Sequence, residues 1–293
     1  MFTGTYTALA TPFKNGKIDE SSFERLIKYQ IKGGVQGIVP VGTTGESPTL
    51  DYEEHLQVIA LAVKYAAKKT KVLAGTGANS TQEAIYLTQE AEKLGADGSL
   101  QVAPYYNKPT QEGLFLHFQA VAQKTRLPIM LYSVPGRCGV EISVDVVLRL
   151  SKACKNIVAI KEAGGNVDRV SQLKHVLDKK FAILSGDDAL TVPFMSVGAV
   201  GVVSVASNVA PKQVVQMVQL CLSGKFIESQ KIHAKFYSLF KDLFIEPNPI
   251  PVKAALAMMK IMEEECRLPL TSMSAGNRAI LERTMRECGL IKG

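Results

Sequence analysis

The sequence predicts an α/β protein, a (β/α)8 TIM barrel with a C-terminal helical extension, and three observations predict it. Short, continuously apolar runs rich in Val and Ile recur eight times, about 20–35 residues apart, as parallel strands covered by helices do. Helical patterns lie between them, which favours a parallel sheet wound with crossover helices. The glycine turn that opens a doubly wound dinucleotide-binding sheet is missing, since Gly75-Thr76-Gly77 runs on as Ala-Asn-Ser. A length of 293 residues suits one barrel of about 250 residues with a remainder to spare.

Taken in order, the expected strands are 5–10, 35–41, 71–75, 98–103, 128–132, 157–160, 181–184 and 200–205. The helix over 20–32 follows an Asp19 cap and keeps Phe23, Leu26, Ile27 and Ile31 on one face. Further helices are expected over 52–69, 81–94, 111–124, 144–154 and 167–177. Ser80 and Glu83 have capping-box spacing ahead of the third, while Gly33-Gly34 and Gly95 mark helix ends. Residues 189–210 carry no charge and have the length of a membrane span, but Pro193, Asn208 and several hydroxyls favour a short helix followed by a buried strand.

After Gly224 only helical patterns remain. One covers 226–244, with Phe236, Leu239, Phe240, Leu243 and Phe244 on a stripe; the Glu246-Pro-Asn-Pro-Ile-Pro251 segment breaks the chain, and helices near 252–266 and 274–288 follow. This divides the chain into a barrel, 1–224, and a helical domain, 225–293, suited to assembly.

Composition narrows the function. An apolar share of 46% and a charged share of 21% suit a soluble protein with a large core. The net charge of +7 is dispersed, without aromatics interleaved among the cations and without Trp, so it fits small anionic substrates better than nucleic acid. The five cysteines form no C-x-x-C pair and no leader is expected before the first strand, so reduced thiols in a cytoplasmic protein are expected.

In a barrel of this kind chemistry sits at the C-terminal ends of the strands. Lys161 closes the run Ile157-Val-Ala-Ile160, where burial disfavours the ammonium and frees a nucleophilic amine for imine formation. A strand-end lysine can also simply reach solvent or pair with Glu162. Gly42-Thr43-Thr44-Gly45-Glu46 is a tight turn rich in donors for a carboxylate, or a plain connecting turn. Tyr132-Ser-Val-Pro-Gly-Arg137 offers a phenol and a guanidinium; the same pair could be a packed residue and a solvated charge. Asp187-Asp188 has the look of a metal pair, but His55, His117, His175 and His233 are scattered over helices, so neither metal nor cofactor is expected.

Together these motifs are far more specific than each alone. With Gly42-Thr-Thr-Gly-Glu46, Tyr132 and Pro135, Ile160-Lys-Glu162 and the Glu-Pro-Asn-Pro-Ile-Pro segment, the chain resembles the dihydrodipicolinate synthase family of pyruvate-dependent lyases and aldolases over its whole length. The resemblance implies that Lys161 forms a Schiff base with pyruvate, which then condenses with L-aspartate 4-semialdehyde in lysine and diaminopimelate biosynthesis. It also implies that Tyr132 moves protons, linked through Thr43 to Tyr106, which would reach the neighbouring subunit's site in a tight dimer. Thr44 would hold the pyruvate carboxylate, Arg137 the second carboxylate, and Gly186 and Val203 would line the pocket. Val203 stands where isoleucine is common. The family suggests a homotetramer built as a dimer of dimers. Positions matching a lysine-inhibition site are Ser47, His55, Asn79, Glu83 and Tyr105, with departures at Pro48 and Tyr52. Two other readings stay open: another pyruvate aldolase such as N-acetylneuraminate lyase, whose loop suits a polyol rather than the carboxylate that Arg137 would bind, and a non-catalytic barrel that binds a small carboxylate.

Overall fold

The computed structural model describes residues 2–292. Eight parallel strands close into a barrel: β1 Gly4–Ala8, β2 Gly37–Val39, β3 Lys71–Gly75, β4 Gly98–Val102, β5 Ile129–Ser133, β6 Ile157–Glu162, β7 Ala182–Ser185 and β8 Gly201–Ser204. β1 pairs in parallel with both β2 and β8, which completes the closure and leaves no free edge. Apart from strand ends and the half-buried Val158 these strands are buried, which is why their sequences read as largely apolar runs rather than alternations.

The surrounding helices are α1 Glu20–Gly33, α2 Tyr52–Ala66, α3 Thr81–Lys93, α4 Gln111–Ala122, α5 Val144–Ala153, α6 Val167–Val176, α7 Thr191–Ser196 and α8 Pro211–Leu222. Local chemistry sets their ends. Asp19 accepts from the Ser22 N–H at the start of α1, and Gly34, at φ 83°, closes it in the left-handed conformation. At the start of α3, Ser80 accepts from the Glu83 N–H but Glu83 does not reciprocate; the complete capping box belongs to Asp51 and Glu54 on α2. The helix expected over 52–69 stops at Ala66, because Ala67 and Lys68 both take positive φ. Elements without a counterpart among the sequence expectations are α8, the helical turn Pro135–Cys138, short 3-10 turns at Ser47–Thr49 and Ala206–Asn208, and a small antiparallel hairpin, Phe13–Lys14 with Lys17–Ile18, in the loop between β1 and α1.

The uncharged stretch 189–210 resolves into α7 and β8, and no helix among the described residues is long and apolar enough to cross a membrane. Four cysteines are buried, Cys266 is partly so, and none is paired among the described residues.

Three further helices follow: α9 Phe226–Asp242, α10 Ile250–Met258 and α11 Ala275–Glu287. α9 packs on α7 and α8, and α11 packs on both α9 and α10. α10 is shorter than the 252–266 expected, because residues 259–267 leave the helix and return to the barrel. There Lys253 and Glu46, both wholly buried, form an ion pair, and the Arg267 N–H donates to the same carboxylate at 3.0 Å. Arg267 also clamps Glu54 and covers Phe13 of the hairpin. The helices beyond Gly224 are thus bonded to the turn after β2.

Candidate active site

The C-terminal ends of β2, β5, β6 and β7 surround a cavity of about 300 Å³, bounded by Thr43, Thr44, Tyr132, Arg137, Lys161 and Gly186, with Asn248 and Phe244 closing one side. The turn after β2 is built by its own hydrogen bonds, Gly45 N–H to Gly42 O at 3.1 Å and Glu46 N–H to Thr43 O at 3.1 Å. Only glycine fits at 45, since a Cβ there would meet the Val41 backbone nitrogen at 2.9 Å. Val41 itself sits at φ 50°, a conformation that costs a β-branched residue about 1–2 kcal/mol and that the surrounding bonds hold in place. Thr11 donates its hydroxyl to Gly45 O at 2.7 Å, and the Glu46–Lys253 pair anchors the far end.

Lys161 lies inside β6, not after it, in register with Tyr132 of β5 and Leu184 of β7. Its Nζ stands 4.0 Å over the Tyr132 ring and has no hydrogen-bond or ion-pair partner among the described residues. Burial pushes its pKa down to about 7; the Asp188 carboxylate opposes that fall and the Arg137 guanidinium adds to it. At neutral pH a large fraction of this amine is therefore unprotonated, as a nucleophile requires. Gly186 leaves the room it needs, for a Cβ at 186 would approach Lys161 Cε to 3.0 Å and Ala163 Cβ to 2.7 Å.

Burial pushes the Tyr132 phenol up to about 12, an effect that Arg137 and the Thr43 hydroxyl partly offset by favouring the phenolate. Tyr132 thus rests protonated beside a largely neutral amine, a pair arranged to exchange protons with a bound carbonyl compound. Arg137 stands at the mouth in the single helical turn Pro135–Cys138, with one N–H directed at Asn248 O at 3.4 Å. Thr44 is buried and its Oγ1 accepts from Asn248 Nδ2 at 3.0 Å.

The remaining candidates fall in different places. Val203 is wholly buried in β8 and Val205, not Val203, borders the cavity. Tyr106 is 92% exposed at φ 72° and touches neither Tyr132 nor the cavity within one chain. Asp187 and Asp188 serve the backbone: Asp187 accepts from the Ala189 N–H, and Asp188 from Ser204 Oγ and the Val205 and Ala206 N–H groups. Burial raises the Asp188 carboxyl to about 6.

Ser47 and Tyr105 border a second cavity of about 220 Å³ behind the turn, together with Pro48, Gly75 and Cys138. Asn79 donates to Tyr105 O at 3.2 Å, the Glu83 charge acts on the Tyr105 phenol, and His55 bonds Gly75 O at 2.9 Å. Of the five, Ser47 and Tyr105 border this cavity, and Asn79 and His55 are bonded to residues of its wall. Sequence reasoning missed Asn248, Phe244 and the Glu46–Lys253 pair. The proline-rich segment was legible as a chain break, but nothing in its pattern showed that it returns to the cavity.

Comparison with known proteins shows the family. The model of the dihydrodipicolinate synthetase family matches residues 1–288. A protein of Sulfurihydrogenibium sp. (strain YO3AOP1) named 4-hydroxy-tetrahydrodipicolinate synthase is 53% identical over 293 residues, the full length of both chains. The structure of the chloride-inhibited dihydrodipicolinate synthase from Acinetobacter baumannii, complexed with pyruvate, superposes with a TM-score of 0.97 at 44% identity, covering 99% of this chain and 100% of that one. That of the Cyanidioschyzon merolae enzyme with lysine bound gives 0.97 at 41% identity, covering 99% of each chain. The chain belongs to the dihydrodipicolinate synthetase family.

Proposed function

We propose that this chain is a Schiff-base-forming lyase that joins pyruvate to L-aspartate 4-semialdehyde, giving 4-hydroxy-tetrahydrodipicolinate for lysine and diaminopimelate biosynthesis. The observation that carries this reading is the unpaired, buried Lys161 amine, its pKa near 7, beside Tyr132 on the wall of a cavity that also offers Thr44 and Arg137. Lys161 Nζ attacks the pyruvate C2 carbonyl, and water leaves as the imine forms. Loss of a C3 proton gives the enamine, whose C3 attacks the aldehyde carbon of the second substrate. The amine of that substrate then attacks the imine carbon, closes the ring and releases Lys161.

Tyr132 supplies and recovers protons in these steps, and Thr43 stabilises its phenolate. Thr44 holds the pyruvate carboxylate and Arg137 the carboxylate of the semialdehyde, a bidentate role that guanidinium geometry suits. Gly186 and Val205 border the pocket, and Val203 is packed in β8 away from it. Tyr106, exposed in one chain, completes the proton path from a neighbouring subunit, and a homotetramer built from two tight dimers in the cytoplasm is the assembly we infer. Residues 1–224 carry the chemistry and 225–293 support it. Ser47, His55, Asn79, Glu83 and Tyr105 would receive L-lysine as inhibitor; the lysine-bound relative supports this, and Pro48 and Tyr52 set its strength.

The test is pyruvate consumption with and without aspartate semialdehyde. Consumption that needs both substrates, with a borohydride-stable pyruvate adduct on the Lys161 peptide, supports the reading. Consumption of neither, with no adduct, overturns it.

A further inference from the structure

Asn248 stands where the two groups read as carboxylate-binding meet, and the proline-rich motif around it gave it no role. It lies in the segment between α9 and α10, is 6% exposed, and borders the same cavity as Thr44, Arg137 and Lys161. Its two polar ends do different things. The side-chain Nδ2 donates to Thr44 Oγ1 at 3.0 Å, while the main-chain carbonyl accepts from Arg137 Nη2 at 3.4 Å. Its Oδ1 is buried with no partner among the described residues.

A threonine hydroxyl has one proton to give and two lone pairs to accept with. When Asn248 Nδ2 fills a lone pair of Thr44, the hydroxyl proton cannot point back at Asn248 and is left free for an anion in the cavity. Turned the other way, the amide would bury two N–H groups without an acceptor and would take the Thr44 proton for its own oxygen. As found, the amide leaves Oδ1 and one N–H without a partner among the described residues, whereas the reverse would leave both N–H groups so, and a buried N–H without a partner is rarer than an under-satisfied carbonyl oxygen. The amide is held in place by its neighbours, since Pro247, Pro249 and Pro251 stiffen the segment on both sides.

We infer that the Asn248 side chain is a positioning residue that aims the Thr44 hydroxyl at the carboxylate of a 2-oxo acid, and so sets affinity for the first substrate but not for the second. The inference rests on the reading of Thr44 as the pyruvate-carboxylate group. The side chain's one hydrogen bond among the described residues is to Thr44, whereas Arg137 is held through the main chain, which any residue at 248 supplies. Removing the amide therefore acts selectively.

The experiment is steady-state kinetics of wild type, Asn248→Ala, Asn248→Asp, Thr44→Val and the Asn248→Ala/Thr44→Val double variant, with pyruvate and aspartate semialdehyde varied separately. Borohydride trapping is read alongside. Asn248→Ala should raise KM for pyruvate about tenfold, the size expected for losing one charge-assisted hydrogen bond, while kcat and KM for the semialdehyde stay within about twofold. Asn248→Asp, of the same size, should raise it further by placing a negative charge beside the pyruvate carboxylate. The double variant should bind pyruvate no more weakly than Thr44→Val alone, because both changes delete one interaction. Equal losses for both substrates would show a general loosening of the segment and overturn the inference. So would fully additive effects in the double variant. If Asn248→Ala does not fold, the isosteric Asn248→Asp decides the matter on the same KM comparison. A wild-type protein that traps no pyruvate would overturn the Thr44 reading itself and this inference with it, whereas wild-type trapping with an unchanged pyruvate KM in the variants overturns this inference alone.

Discussion

Two lysines are buried among the described residues, and only one of these two is placed to react. Lys161 ends in a cavity, over the Tyr132 ring, without a hydrogen-bond partner among the described residues. Lys253 is wholly enclosed, paired with Glu46 and lying over Phe13. Burial pushes both pKa values down and a carboxylate opposes the shift at each, but Glu46 is bonded to the Lys253 ammonium, while Asp188 acts on Lys161 through charge alone and Arg137 adds to the fall there. Burial alone therefore does not make a nucleophile. Access to a cavity and the lack of a bonded counter-charge do, and Lys253 instead holds the Thr43–Thr44 turn to α10.

The largest expected effect tests the reactive member. Lys161→Ala should lower the condensation rate by roughly a thousandfold or more, as loss of a covalent nucleophile does, and should leave no borohydride-stable adduct. Retention of more than a tenth of the activity would put the nucleophile elsewhere. Lys253→Met should show the opposite profile. It strands Glu46 in the interior, and breaking a buried pair in this way costs about 3–5 kcal/mol, to be read as a lower urea midpoint. Adding Glu46→Gln should recover part of the loss. A Lys253→Met protein as stable as wild type would show that the pair does not hold the C-terminal helices.

The third prediction is smaller and concerns pH. With Lys161 titrating near 7, imine formation with pyruvate should rise about tenfold between pH 6 and pH 8 and then level off. Asp188 raises the Lys161 pKa, so Asp188→Asn should move this midpoint downward. Stability has a definite sign as well. Below pH 7 both the folded and unfolded chains hold the Lys161 proton, and the full cost of burying the ammonium is present. Between about 7 and 10.5 the folded protein releases the proton while the unfolded chain keeps it, so stability rises with pH across that window. Lys161→Met should therefore stabilise the protein more at pH 6 than at pH 9, measured by urea denaturation at each pH. An equal gain at both values would mean that Lys161 titrates outside the window.

Much of this was legible before the structure. The eight apolar runs each became a strand, because parallel strands covered by helices must be apolar along their length, and ends shifted by only one or two residues. Lys161 drew attention because an amine that closes the apolar run Ile157-Val-Ala-Ile160 emerges from the barrel interior, although the run alone also allowed one that reaches solvent or pairs with Glu162. Less legible were α8, whose start follows the uncharged stretch without a side-chain cap, and the helix over 252–266, where a helical pattern continues past the point at which the chain turns back.

The sequence by itself determined the barrel, through the spacing of its apolar runs, and the chemical types gathered at the strand ends, through the motifs around Thr43, Tyr132 and Lys161. Only the tertiary structure decided which of those groups meet and which lysine is free. Asn248 and Thr44 are separated by 204 positions in the chain, and Lys253 and Glu46 by 207. Periodicity and turn chemistry act over a few residues, so they carry no information on such contacts. Burial and hydrogen bonding act through space, and it is they that leave the Lys161 amine open to the cavity and tie Lys253 down.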